Sequence, residues 1–216
     1  MTNPETRISL IMNIILKIKI KITAFKVLKK EVSMKEIIFL VKEMESLKGK
    51  GEPWKDLPNA ETNKDFESRE LIGEAILLYR ALQIFKDKTE AEKIVRNVIT
   101  RSAVAQLGFL IPTVKKTKLL KMIPEERSLF FKGIVDKFPN AEYTLVEESE
   151  EKFKFYITKC RLVELIINAG HPELSDAFCS GDGVYFSECQ PDIEFFREEM
   201  LGKGCEKCDF EFRLRK

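Results

Sequence analysis

The hydrophobic period of this chain changes once, near residue 140, and that change constrains the fold more than any other feature. Before it, apolar residues return every three or four positions, as in Ile37, Leu40, Val41, Met44 and Leu47, or Leu71, Ile72, Ala75, Leu78, Leu82 and Phe85. After it they alternate: Tyr143 and Leu145 on one side of a strand, then Phe153, Phe155 and Ile157 against Lys152, Lys154 and Tyr156. A third run sets Phe210, Phe212 and Leu214 against Glu211, Arg213 and Arg215. A period near 3.6 followed by a period of two predicts an α+β fold. The expected arrangement is an antiparallel β-sheet in the C-terminal half, covered on one face by a mainly helical N-terminal half.

Local signals set the expected boundaries. Ser33 caps a helix starting at Met34 and ended by Gly49 and Gly51, and so well-formed a start makes Met34 an alternative translation start. Residues 49–66 read as a connection tacked to the core by Trp54. A helix is expected from Ser68 to about Phe85 and a second one capped by Thr89 with Glu92 in the capping-box position. The short Lys86-Asp87-Lys88 turn makes them an antiparallel pair. Pro124 opens a helix with Phe130, Phe131, Ile134, Val135 and Phe138 on one face, closed by Pro139-Asn140. Farther on, Leu162–Ala169 reads as a helix stopped by Gly170, Ile193–Leu201 as a fourth strand, and the cysteine-bearing segments as loops between strands.

With 216 residues, 44% of them hydrophobic, the chain can bury one core. Residues 34–216 are read as one α+β domain, helical over 34–139, with the sheet and Cys-rich loops in 141–216. Residues 1–33 are a basic amphipathic N-terminal extension, holding seven lysines and arginines against Glu5 and Glu31. Within it Ile18–Ile22 alternates, yet Ile11, Ile15, Ile18, Ile22 and Phe25 also keep helical spacing, so periodicity does not choose between strand and helix. The segment 8–30 could touch a membrane surface or simply pack on the body. Lys17, Lys19 and Lys21 in its middle exclude a transmembrane span. A net charge of +2 from 37 basic and 35 acidic residues does not indicate nucleic acid. With no secretory signal read at the start and an odd number of cysteines, the cytoplasm is the expected compartment, and a homo-oligomer is compatible with the sequence.

Five cysteines, at 160, 179, 189, 205 and 208, and a single histidine carry the candidate chemistry. Cys205-x-x-Cys208 could ligate zinc or another divalent metal, with Cys179 as a further ligand, or act as a redox pair. No second C-x-x-C accompanies it, so the zinc-ribbon pattern is incomplete. Cys160, between a strand and a helix, could be a thiolate stabilised by the helix N-terminus or a small buried apolar residue. Cys179-Ser180-Gly181-Asp182-Gly183 reads as a glycine-flanked loop presenting a thiol and a carboxylate, or as a turn capped by Asp182. His171 is the only side chain able to act as a histidine base, which excludes sites needing several histidines.

The order of the motifs is more specific than any one of them. Phe155–Cys160, Gly170-His171-Pro172-Glu173-Leu174, Cys179-x-x-Asp182, Phe196-Arg197 and Gly204-x-x-x-Cys208-Asp209-Phe210-x-Phe212 together resemble the L-2-amino-thiazoline-4-carboxylic acid hydrolase family, over roughly residues 68–214. The closing Gly-x-x-x-Cys-Asp-Phe is also similar to vinyl-reductase-like small-molecule-binding domains. The family resemblance implies hydrolytic ring opening of a thiazoline carboxylate, a small-molecule substrate, on a route to cysteine. The positions that match are Cys160, Cys179, Asp182, Arg197, Cys208 and Asp209, while Cys205 stands where the family pattern would place an acid. In this scheme Cys160 or Cys179 is nucleophile or ligand, Asp182 handles protons and Arg197 clamps the substrate carboxylate. The bland alternative for Arg197 is a surface ion pair with Glu194 or Glu198. The alternative function is a non-catalytic small-ligand or thiolate-metal-binding sensor module.

Overall fold

The computed structural model describes residues 10–136 and 141–216. The expected stop at Pro139-Asn140, and Phe138 before it, lie outside the described residues. Six helices precede the sheet: α1 (Leu10–Glu31), α2 (Met34–Gly49), α3 (Asn63–Leu82), α4 (Lys88–Leu110), the single turn α5 (Lys116–Leu119) and α6 (Pro124–Val135). Then come β1 (Ala141–Glu148), β2 (Lys152–Cys160), α7 (Arg161–Asn168), α8 (Ala177–Cys189), β3 (Ile193–Phe196) and β4 (Cys208–Leu214). The strands form one antiparallel sheet in the order β1-β2-β4-β3. The α+β class with its sheet in the C-terminal half is therefore as the change of period predicts.

The caps show which local signals decided the boundaries. Ser33 and Glu36 form a reciprocal capping box at the start of α2. Thr62 caps α3, its hydroxyl accepting from the Asp65 N–H at 3.1 Å, so the helix begins at Asn63, five residues before the expected start at Ser68. At α4 the cap is Asp87, whose Oδ1 accepts from the Glu90 N–H at 2.8 Å. Glu92 is thereby free of capping and pairs with Arg96 one turn on, at 2.8 Å. Pro124 occupies the first turn of α6 and Gly170, at φ +80°, terminates α7, both as expected.

Helix α4 is the spine, with α1 and α8 packed along it and α3 beside it. Ile94, Val95, Val98 and Ile99 are buried there among Ile72, Ile76, Leu82, Leu165 and Val27. The ambiguous Ile18–Ile22 stretch is helical: Leu16 and Val27 turn inward on α1, while Ile11, Ile14, Ile15, Ile18, Ile22 and Phe25 are exposed on its outer side. No described helix is long and apolar enough to cross a membrane. Trp54 anchors its connection as expected, donating its indole N–H to the Arg69 carbonyl at 3.2 Å.

The register pairs Phe153 with Phe212, Phe155 with Phe210 and Ile157 with Cys208, which puts these six side chains on one face of the sheet. Phe155 stacks on Phe210 with centroids 5.0 Å apart, and Phe131 of α6 stacks on Phe153 at 4.5 Å. Glu211 points to the other face among Lys152, Lys154 and Arg213. The fourth strand stops at Phe196, short of Leu201, because Asp209 ends the pairing there. Its Oδ1 accepts from the backbone N–H groups of Glu198 at 2.9 Å and Glu199 at 2.6 Å, turning the chain away from β4.

Candidate active site

The phenylalanine face of the sheet does not seal against the helices. Between it and α4, α6, α7 and α8 lies a cavity of about 190 Å³. Its body is apolar, formed by Leu107, Phe131, Phe155, Phe186, Ile193 and Phe212, among others. Its wall also carries Cys160, Cys179, Asp182 and Cys208. A cavity of about 150 Å³ accommodates benzene, so this one has room for a small ring.

Helix α8 places two of the four. The expected Cys179–Gly183 loop is helical, because Gly181 serves packing and not a turn. A Cβ there would come within 2.4 Å of the Ala103 Cβ on α4, so only glycine lets α8 approach so closely. Cys179 and Asp182, three positions apart, then share the helix face directed at the cavity together with Phe178 and Phe186. The far end of α8 is fixed by the fully buried Gln190, which accepts from the Val114 N–H at 2.8 Å and donates to the Tyr185 hydroxyl at 2.8 Å. Cys160 ends β2 and Cys208 opens β4, so two of the three cavity thiols sit on strand ends and the third on a helix. That corrects the expectation of Cys-rich loops. Of the remaining two cysteines, Cys189 is exposed at the end of α8 and Cys205 lies in the connection before β4, outside the cavity wall.

The three cavity thiols differ in acidity. Cys208 is brought down, first by the hydrogen bond with Cys179 and then by the Leu201 N–H, 3.2 Å away. Cys179, as the donor, is pushed up by the same bond and by burial. Burial raises Cys160 too, outweighing the opposing pull of the first backbone N–H groups of α7, those of Leu162 and Val163. The thiol whose pKa is lowered is thus Cys208, a residue that the C-x-x-C spacing suggested as a metal ligand or as half of a redox pair. Its place on the inner face was nonetheless legible, since it shares the parity of Phe210 and Phe212.

Arg197 is a buried residue and its partner is neither Glu194 nor Glu198. Its side chain is 6% exposed, and its guanidinium donates to Asp182 Oδ2 at 2.8 Å and to the Cys179 carbonyl at 2.7 Å. It lies over the rings of Phe210 and Phe195, 5.0 and 5.3 Å from their centroids. It is not on the cavity wall. Burial pushes the Asp182 carboxyl above the ordinary carboxylate range, with Arg197 opposing that rise.

His171 lies elsewhere. It accepts from Arg80 Nε at 3.0 Å, has Glu173 3.5 Å from its other ring nitrogen, and meets Tyr79 edge-on. It does not line the cavity. Among the described residues no group of three or more His, Cys, Asp or Glu side chains is placed to hold a metal ion. The donor set around Cys179, Cys205 and Cys208 therefore does not fit a tetrahedral zinc centre.

A model of the family described as L-2-amino-thiazoline-4-carboxylic acid hydrolase matches residues 67–212, which span α3 through most of β4 and hold every residue on the cavity wall. Comparison with curated proteins and with solved structures returns no match.

Proposed function

Since the chain belongs to the L-2-amino-thiazoline-4-carboxylic acid hydrolase family, we propose that it is a thiol-dependent hydrolase that opens a small cyclic C–N compound inside the cavity. The observation that carries this reading is the convergence of Cys160, Cys179, Cys208 and the Asp182 carboxyl on the wall of one apolar cavity, with hydrogen bonding from its neighbours lowering the pKa of the Cys208 thiol.

The chemistry follows from these groups. A cyclic amidine carbon is electrophilic, and the Cys208 thiolate adds to it, giving a tetrahedral adduct. Collapse of the adduct breaks a ring bond as a proton from water passes through Asp182, ion-paired with Arg197, to the leaving heteroatom. Water then cleaves the thiol-bound intermediate with Asp182 as base and returns Cys208. Cys179 holds the thiolate by its S–H, and Arg197 positions Asp182. No step is assigned to a metal or to His171.

The test is to incubate the full-length chain with 2-aminothiazoline rings, with and without a 4-carboxylate, and follow the thiol liberated by ring opening. Opening is expected, with kcat/KM rising with pH below the ordinary thiol value of about 8.5 because only the ionised Cys208 attacks and its pKa is lowered. Failure to open either ring removes the reading. The predominantly apolar wall favours a second one, non-catalytic binding of a small ligand, and that is the result if a ring binds but never opens.

A further inference from the structure

Helix α1 carries apolar side chains on two opposite sides. The inner side packs on α4 and buries Leu16 and Val27. The outer side presents Ile11, Ile14, Ile15, Ile18, Ile22 and Phe25, between 41% and 69% exposed, as a continuous stripe about four turns long. Soluble proteins rarely leave such a stripe uncovered, and where they do it marks a contact surface. At about 3.6 residues per turn, two columns of lysine separate the stripe from the core side: Lys19, Lys26 and Lys30 along one edge, Lys17 and Lys21 along the other. The second column pairs with carboxylates of α3, Lys17 with Glu70 at 2.7 Å and Lys21 with Glu74 at 3.7 Å. Lys19, Lys26 and Lys30 are exposed and have no acidic partner among the described residues.

The charge pattern selects the occupant. A second copy laid on the same stripe would bring lysine columns against lysine columns, and Glu31 is the one acid in α1, so like charges would line both edges of the contact. A layer of anionic headgroups answers both features at once, pairing with the lysines while the isoleucines enter the apolar boundary beneath. The lysines in the middle of the helix keep it at the surface, because burying them in hydrocarbon costs too much. From this we propose that α1 docks the folded protein, stripe down, on an anionic membrane surface. Packing on the body and touching a membrane then belong to opposite sides of one helix, and neither depends on the chemistry of the cavity.

The experiment is flotation of the full-length chain with vesicles of phosphatidylcholine alone and of equal parts phosphatidylcholine and phosphatidylglycerol, with its mass in solution measured by light scattering. The wild type is expected to bind the anionic vesicles at least about tenfold more tightly than the neutral ones at low salt, and to be released as salt rises. Ile18→Glu with Ile22→Glu should weaken that binding at least about tenfold. Lys19→Gln with Lys26→Gln and Lys30→Gln, which leaves the stripe and the buried side intact, should weaken binding to the anionic vesicles at least about tenfold as well. Equal binding to both kinds of vesicle, or to neither, overturns the proposal, as does a lysine variant that floats like the wild type. A wild-type dimer that Ile18→Glu turns into a monomer, with no flotation, gives the stripe to a second copy and overturns it too.

Discussion

Two groups of titratable side chains lie along the stretch from α7 to α8, each organised round an arginine, and they differ in what they face. Around Arg80, the guanidinium binds His171, Glu52 and the Ala169 carbonyl, and His171 has Glu173 at its second nitrogen. Around Arg197, the guanidinium binds Asp182 and the Cys179 carbonyl, while Asp182, Cys179 and Cys208 open onto empty space. Both contain an arginine, an acid and a histidine or thiol. The second borders the cavity and the first does not. The first spends its hydrogen bonds on joining α3 to the α7–α8 connection. The contrast teaches that residue type nominates a site, and an adjoining cavity decides between nominees.

The comparison breaks most readily at the two titrating groups. Cys208→Ala should lower kcat/KM by at least about a thousandfold with little change in Tm, since a nucleophile is lost and a small side chain replaced. His171→Gln should leave turnover within about twofold and lose about 1.5–3 kcal/mol of stability, the worth of a hydrogen bond to a charged donor. That variant also has a pH signature. Burial holds the His171 pKa below its ordinary value, so the unfolded chain binds the proton first and the wild type loses stability as pH falls below about 6.5. Urea titrations at pH 7 and pH 5 should show a smaller difference for His171→Gln than for the wild type.

Next in size is the ion pair. Asp182→Ala leaves the Arg197 charge buried without its partner and should cost about 3–5 kcal/mol, read from the denaturation midpoint. Loss within about 1 kcal/mol would mean that Arg197 finds water, and that the cavity end is wetter than its burial indicates. Smaller again is Gly181→Ala, expected to cost about 1–3 kcal/mol by forcing α8 away from Ala103, and to reduce ring binding because Cys179 and Asp182 move with the helix. A silent Gly181→Ala would show that α8 tolerates displacement without disturbing the site.

Much of the fold was legible because its signals are local. The change of period near residue 140, the Ser33 capping box, Pro124 and Gly170 each act within a few residues, and each placed its element correctly. Thr89 failed as a cap for an equally local reason, since Asp87 offers a carboxylate two residues earlier. The segment around Gly181 was misread because a glycine needed for helix contact looks in sequence like one needed for a turn. Only the position of Ala103, 78 residues earlier, distinguishes them. The candidate site shows the same division. The order of Cys160, Cys179, Asp182, Arg197 and Cys208 was visible, but not their roles. The acidity of Cys208 depends on a thiol from α8 and an N–H from Leu201, and the commitment of Arg197 to Asp182 depends on how β3 lies against α8. Those are contacts between distant segments, which no spacing rule contains.

The account turns on Cys208 ionising more readily than an ordinary thiol because Cys179 donates to it. Titrating the ultraviolet absorbance of thiolate in the full-length protein, beside Cys208→Ala and Cys179→Ala, tests this without any substrate. The expected result is one thiolate appearing with a midpoint below the ordinary thiol value of about 8.5, absent in Cys208→Ala and moved to higher pH in Cys179→Ala. If all three proteins ionise alike, with nothing titrating below the ordinary thiol value of about 8.5, Cys208 is not the thiolate and the proposed chemistry has no nucleophile.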